Sequence, residues 1–324
     1  MMRITKLLIV LVWLTASGSY RAARADNVAP PPPPEQLDEL TVTGERTGPG
    51  MWQIHRGNAQ FWILGSISPL PKGITWRSKQ VEQVLATTQR VLVPKPLELG
   101  IVKILWLLIT ERKVIMIPGG KRLKDILPPN LYQRFAVQRA RFSSDAEKWE
   151  RYRPIVASAF LEQAAFHTVG LSARLDLGAA LRALAKKQDV PVEEVKIAGV
   201  GDFLDTLKVM SPATENACVD ASLVTEESGL PRLMERARAW STGNVERIQA
   251  LPQSAEVDAC LAALDSGASK GDLLARVRQA WLAAIEKYLG SGGVTLAVVN
   301  MDLLLGRGGL LDTLRTQGYE VDAP

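Results

Sequence analysis

Two short runs place polar residues at the ends of apolar segments, where folds with parallel strands position their chemistry. The first, FWILGSISPLPKG, spans Phe61 to Gly73 and carries Ser66 and Ser68 just after Gly65. The second, VTLAVVNMD, begins at Val294 and ends in Asn300, Met301 and Asp302. A serine nucleophile needs a base and an acid to orient it. GSISP lacks the second glycine of the G-x-S-x-G elbow, and only His55 and His167 could serve as base. His55 falls beside a predicted turn and His167 on an Ala-rich helical stretch. Neither has a partner at metal-binding spacing such as H-x-x-x-H, so both read as structural or surface residues. Asp302 is the acid best placed for chemistry, although the same position suits a residue that caps a turn. Gly306-Arg307-Gly308-Gly309 follows, a glycine-rich turn that could offer N–H groups to an anion but lacks the Lys-Ser/Thr of a phosphate loop.

The elements that would position these residues follow from patterning. MWQIH and QFWILGS flank Arg56-Gly57-Asn58-Ala59 and predict a β-hairpin. A helix is expected from Trp76 to Thr88, with Val81, Val84 and Leu85 on one face, and a short strand over Arg90–Val93, stopped by Pro94. Leu97 to Leu108 is apolar, contains Lys103 and is too short to span a bilayer, so a helix packed on the core is expected. Helices are expected within Lys124–Glu162, over Leu177–Lys187, and through Cys218–Thr242 and Val257–Leu264, with a strand at Val192–Ile197. The C-terminal part predicts a helix over Lys270–Leu289 stopped by Gly290, a buried strand at Val294–Val299, a helix over Leu310–Gln317 capped by Gly318, and a last strand at Tyr319–Val321. The fold class is therefore α/β: a mixed sheet from the N- and C-terminal segments, with a large helical insertion between them.

The first residues read as a leader. MMRITK is basic, LLIVLVWL is a short apolar core, and Ala23-Arg24-Ala25 fits a cleavage site before Asp26, so residues 1–25 are expected to be a signal peptide and the mature protein periplasmic or secreted. Those residues hold four of the basic side chains and no acid, so without them the formal charge falls from +5 to +1. That balance argues against a nucleic-acid partner, and no membrane span is expected after cleavage. In an oxidising compartment Cys218 and Cys260 are expected to pair as a disulfide rather than persist as separate thiols. Residues 26–49 read as a Pro-rich linker, with Pro30 through Pro34 as a polyproline rod, ahead of a domain over 50–324. Within the linker, LDELTVTGE (37–45) resembles the segment that TonB captures in TonB-dependent receptors, which makes a TonB contact a possible partner interaction, beside the plain reading as a tether.

The run MWQIHRGNAQFWILGSISPLPKGITWRS resembles the opening of the TraB/PrgY/GumN family, in which an apolar strand ends in G-T-x-H before a Leu-Pro turn. The run VTLAVVNMDLLLGRGGLLDTLRTQGYEVD resembles that family's last segment, with its G-x-x-H-L and G-L-L-x-x-L-x-x-x-G-Y-x-V. In the middle, Cys218 and the Ala-Trp-x-x-Gly-Asn of Ala239 to Asn244 fit a secreted subfamily. The resemblance implies a site related to that of the metal-dependent Tiki-like proteases, built from two histidines and a glutamate around a divalent ion. At these positions the sequence departs from the pattern. Gly65 is kept, but Ser68 stands at the first histidine, Pro94 falls at or near the glutamate with Glu98 four residues on, and Asp302 stands at the later histidine. A neutral hydroxyl is a poor substitute for imidazole at a metal. The reading is an exported pseudoenzyme without a cofactor that binds a peptide, glycan or protein partner. The alternative is a divergent metal-dependent peptidase in which Ser68, Glu98 and Asp302 hold a cation such as Mn2+.

Overall fold

The computed structural model describes residues 48–324 apart from 75, 77–78, 96–109, 146, 174–176, 197–199, 252–253, 267–272 and 307. The apolar run 97–108, Glu98, Arg307, the leader and the TonB-like segment lie outside the described residues.

Strands β1 (Met51–Arg56) and β2 (Ala59–Ser66) form the expected hairpin, with Arg56 opposite Ala59. The two-residue turn works because Gly57 takes φ +59°, at the first central position, where a side chain would be strained. A short strand β3 (Leu70–Pro71) follows, then the Lys79–Thr87 helix with Val81, Val84 and Leu85 buried, and β4 (Arg90–Pro94). β3 pairs with β5 (Leu171–Ser172) in a separate two-stranded ribbon that ties the loop after β2 to the helical insertion. The remaining strands are β6 (Val192–Val195), β7 (Val294–Asn300) and β8 (Glu320–Asp322).

Six strands form one sheet in the order β6-β4-β7-β2-β1-β8. β6, β4, β7 and β2 are mutually parallel, while β1 runs antiparallel to both its neighbours. β7 lies between β4 and β2 and is buried from Thr295 to Val299, which is why VTLAVV reads as an unbroken apolar run rather than an alternating one. The Leu273–Ser291 helix covers the sheet, burying Trp281, Ile285, Tyr288 and Leu289 in the main core. It continues past Gly290, and the chain turns at Gly292 and Gly293, both at positive φ.

The insertion is helical, with separate cores of its own. Pro129–Phe142, Pro154–Thr168 and Pro212–Val224 pack through Leu131, Phe135, Leu161, Val219 and Leu223. Prolines open all three helices, where a missing N–H costs nothing. Cys218 and Cys260 form a disulfide that fastens the Ala255–Ser266 helix to Pro212–Val224. The Pro212–Val224 helix runs through a π-helical turn, Thr225–Gly229, into the Leu230–Ser241 helix.

Candidate functional site

The parallel strands deliver their C-terminal ends to one edge of the sheet. There Ser66 of β2 is in register with Asn300 of β7. Ser68 lies two residues beyond the first and Asp302 two beyond the second, so the two polar positions picked from sequence share this edge. Pro94, the last residue of β4, lies at the same end of the parallel set, opposite Val195 of β6. Glu98 falls outside the described residues. Gly65 is wedged between strands and helix: a Cβ there would sit 2.7 Å from the Trp52 ring and 2.8 Å from Met301 Cγ. That contact explains the glycine without any catalytic role.

The side chains divide the work differently from the sequence reading. Asn300, not Asp302, caps the short Met301–Leu305 helix: its Oδ1 accepts from the N–H groups of Asp302 at 2.8 Å and Leu303 at 3.4 Å. Asp302 is thereby free to face Arg236, whose Nη2 donates to Asp302 Oδ1 at 2.7 Å. The Arg236 side chain is only 10% exposed, against 43% for Asp302. Its guanidinium also donates to the carbonyl oxygens of Leu251 at 2.6 Å and Ile248 at 3.4 Å. One helical turn on, Trp240 Nε1 donates to the Gly65 carbonyl at 2.8 Å. Residues four apart share a helix face. The Leu230–Ser241 helix therefore grips both strand ends, one through Trp240 and the other through Arg236.

Sequence reasoning missed Arg236, because an arginine in an amphipathic helix ordinarily meets water. A signal was nevertheless at hand. Each polar or special residue of the Ala239–Asn244 motif has a structural role. Trp240 holds Gly65, Gly243 takes φ +71° to end the helix, and Asn244 Oδ1 accepts from Arg247 N–H at 2.8 Å to cap the next one. Arg236 lies one turn before that tryptophan.

Ser68 is exposed, and neither histidine is hydrogen-bonded to it among the described residues. His55 instead meets Asp322 at 3.1 Å across β1 and β8, and His167 is exposed on the Pro154–Thr168 helix. Among the described residues of the glycine-rich turn, the N–H groups of Gly306 and Gly309 do not face an anion, because they donate to the carbonyls of Asp302 and Gly306. A Cβ at Gly309 would sit 2.4 Å from Leu304 O, so close backbone packing explains the glycine.

The described residues at this edge do not fit a divalent ion. They supply one carboxylate and neutral oxygens, and the carboxylate is already balanced by a guanidinium that the fold holds in place. Among the described residues no group of three or more His, Cys, Asp or Glu could hold a metal.

A second acidic pair lies in the helical part. Glu226, 1% exposed in the π-helical turn, accepts from Ser222 Oγ at 3.2 Å through Oε1, while its Oε2 is buried without a partner. Burial, and then the neighbouring carboxyl of Glu162, push the Glu226 pKa up to about 9, and burial pushes Glu162 up to about 7. Glu226 is thus a neutral acid at pH 7. Its neighbour Glu227 stays outside the pair, held by Arg134 at 2.9 Å through both oxygens. In sequence, Glu226-Glu227 looks like a solvated pair, and nothing local tells which of the two turns inward.

The TraB/PrgY/gumN family model matches residues 50–323, and the chain belongs to that family. No curated protein and no solved structure matches the chain. Among the described residues, no helix is long and apolar enough to cross a membrane.

Proposed function

We propose that this chain is an exported member of its family that does no metal-dependent peptidase chemistry and instead binds a peptide, glycan or protein partner at the strand edge around Ser68, Asn300 and Asp302. The observation that carries this reading is the Arg236–Asp302 pair. A guanidinium fixed by two backbone carbonyls stands beside the carboxylate that would have to coordinate a cation. Bringing a divalent ion to that carboxylate opposes charge to charge at short range. The exposed hydroxyl of Ser68 and amide of Asn300 suit hydrogen bonding to a partner rather than ion binding. Export is supported by the basic-then-apolar leader and agrees with the disulfide. The test is incubation with a mixed peptide library with Mn2+, Co2+ or Zn2+ added, read by mass spectrometry. No metal-stimulated cleavage is expected. Cleavage that requires the ion and is lost in Asp302→Ala would overturn the reading in favour of a divergent peptidase.

A further inference from the structure

Charge is divided along the strand edge. β4 and β6 run side by side as far as Pro94 opposite Val195, and the ladder extends one bond further, with Lys95 N–H donating to Val195 O at 2.9 Å. Lys95 and Lys196 are thus the next residues on two adjacent parallel strands, whose backbones lie about 5 Å apart. Both are exposed, and neither is in an ion pair among the described residues. Like charges side by side on neighbouring strands repel. Across the sheet, β4 pairs with β7 only from Arg90 to Leu92, opposite Ala297, whereas β2 and β7 stay paired to Ser66 opposite Asn300. β4 and β7 therefore part before either ends. The opening lies between the two lysines on one side and Asn300 with Ser66 on the other, outside the C-terminal strand ends where open α/β sheets take ligands.

A third cation reaches this end from the covering helix. Leu273–Ser291 runs antiparallel to the two lysine-bearing strands. At one end Arg90, the first residue of β4, donates to Ser291 Oγ at 3.2 Å, and at the other Arg276 donates to Asp202, just past β6, at 2.9 Å. Arg278 follows Arg276 and so belongs to the lysine end. It stands one turn before the buried Trp281, on the stripe that faces the core. Its Nε is buried without a hydrogen-bond partner, and no described acid pairs with its guanidinium. A donor left in that state is costly unless a ligand completes it. The described acids nearby are already engaged: Glu193 accepts from Tyr288, Glu194 pairs with Arg182 at 3.2 Å, Asp202 with Arg276 and Asp302 with Arg236. Glu98 lies outside the described residues.

We propose that Lys95, Lys196 and Arg278 bind the carboxylate of a peptide whose chain continues over the opening toward Asn300 and Ser68. The inference rests on the strand-edge reading above and names what that edge recognises. The edge is cationic only on the β4–β6 side. Beyond the opening it offers an amide, a hydroxyl and the 43% exposed carboxylate of Asp302. A polyanion laid along the edge would meet that carboxylate. A chain with one anionic group and amides beyond it would not, and a guanidinium matches a carboxylate in shape as well as charge.

The test uses the chain from Asp26, which retains the whole core, since that core begins at Met51. The immobilised protein is offered N-acetylated random hexapeptides free of acidic residues, with C-terminal carboxylates or amidated, and an amidated pool carrying one glutamate. Capture is read by mass spectrometry. The free-acid pool, the glutamate pool or both should be captured and the plain amide pool should not. Which of the first two is captured tells whether a terminus or a side chain supplies the carboxylate. An exposed ion pair contributes up to about fivefold in affinity, so Lys95→Gln/Lys196→Gln should weaken capture roughly tenfold. Lys72→Gln/Lys186→Gln, at exposed positions elsewhere, should capture like the parent. Arg278→Met should weaken capture by a similar factor without lowering the melting temperature, because it breaks no hydrogen bond; a large fall would make Arg278 a packing residue and overturn its part. Equal capture of the amide pool, or undiminished capture by the lysine variant, would overturn the carboxylate assignment and leave peptide binding at the edge standing. No capture from any pool would overturn both. Retention of alginate in preference to the peptides would make the ligand an acidic glycan and overturn the peptide assignment.

Discussion

Replacing Arg236 by methionine keeps the length and apolar stem of the side chain and removes its charge and donors. Arg236 donates to two carbonyls and one carboxylate. Hydrogen bonds from a charged group contribute about 1.5–3 kcal/mol each, and a carbonyl left without a partner in a buried setting costs about 1–3 kcal/mol. The Asp302 contact is discounted, because a carboxylate that is 43% exposed regains water. Arg236→Met should therefore cost about 2–4 kcal/mol. Asp302→Asn leaves both carbonyls satisfied, offers the guanidinium a neutral oxygen in place of a charged one, and leaves the Asn300 cap intact. It should cost about 0.5–1.5 kcal/mol. Urea titration of both variants gives the comparison, with unchanged m showing that the same unfolding is being measured. If Asp302→Asn proved as costly as Arg236→Met, the arginine would be held by the carboxylate rather than by the backbone. The cation would then not stay at this edge independently of Asp302, and the reasoning would be refuted.

Three further outcomes are expected. Gly65→Ala puts a methyl into the Trp52 ring and Met301 and should lower stability by about 1–3 kcal/mol in the same titration. Removing the disulfide with Cys218→Ser/Cys260→Ser, which opens a closed loop with a sequence separation of 42, should cost about 4 kcal/mol, and a loss near zero would mean that the Ala255–Ser266 helix is held by packing alone. Because the folded-state pKa of Glu226 is raised to about 9 from 4.5, the folded state binds the extra proton between those values, so its contribution to stability is full below about pH 4.5 and is lost as pH rises toward 9. Glu226→Gln should flatten that fall in urea titrations from pH 5 to 9, becoming the more stable form at pH 8; a variant curve parallel to the parent's would show that Glu226 is not the group responsible.

Much of the sheet was legible because its signals are local. The β1–β2 hairpin shows in Gly57 between two apolar runs, and β7 shows in VTLAVV, whose lack of alternation marks a strand covered on both faces. The Leu177–Lys187 helix carries a strong apolar stripe and was bounded correctly. The Val200–Val209 helix and the β3–β5 ribbon were not expected. The ribbon is two residues a side, and only the partner 100 residues away makes Leu70–Pro71 a strand. At the site, Ser68 and Asp302 lie just beyond the strand ends, and the capping role that the sequence allowed Asp302 as its alternative belongs to Asn300. Asn and Asp both cap helices, and choosing Asn300 over Asp302 requires knowing that an arginine 66 residues earlier in the chain takes the carboxylate. Arg236 was missed although it lies one turn before the Trp240 motif, and Glu226 was illegible, because burial of a charged side chain depends on what packs over it and the neighbours of Glu226 in sequence do not record that.

The most direct test of the proposed function is the melting temperature of the chain from Asp26, with and without Mn2+, Co2+, Zn2+ and Mg2+. An ion that binds the native state must raise it. With Arg236 fixed beside Asp302, no ion should shift the melt of the parent, and Asp302→Ala should behave alike with and without metal. A clear rise with any of these ions that disappears in Asp302→Ala would show that Asp302 coordinates a cation and would contradict the account.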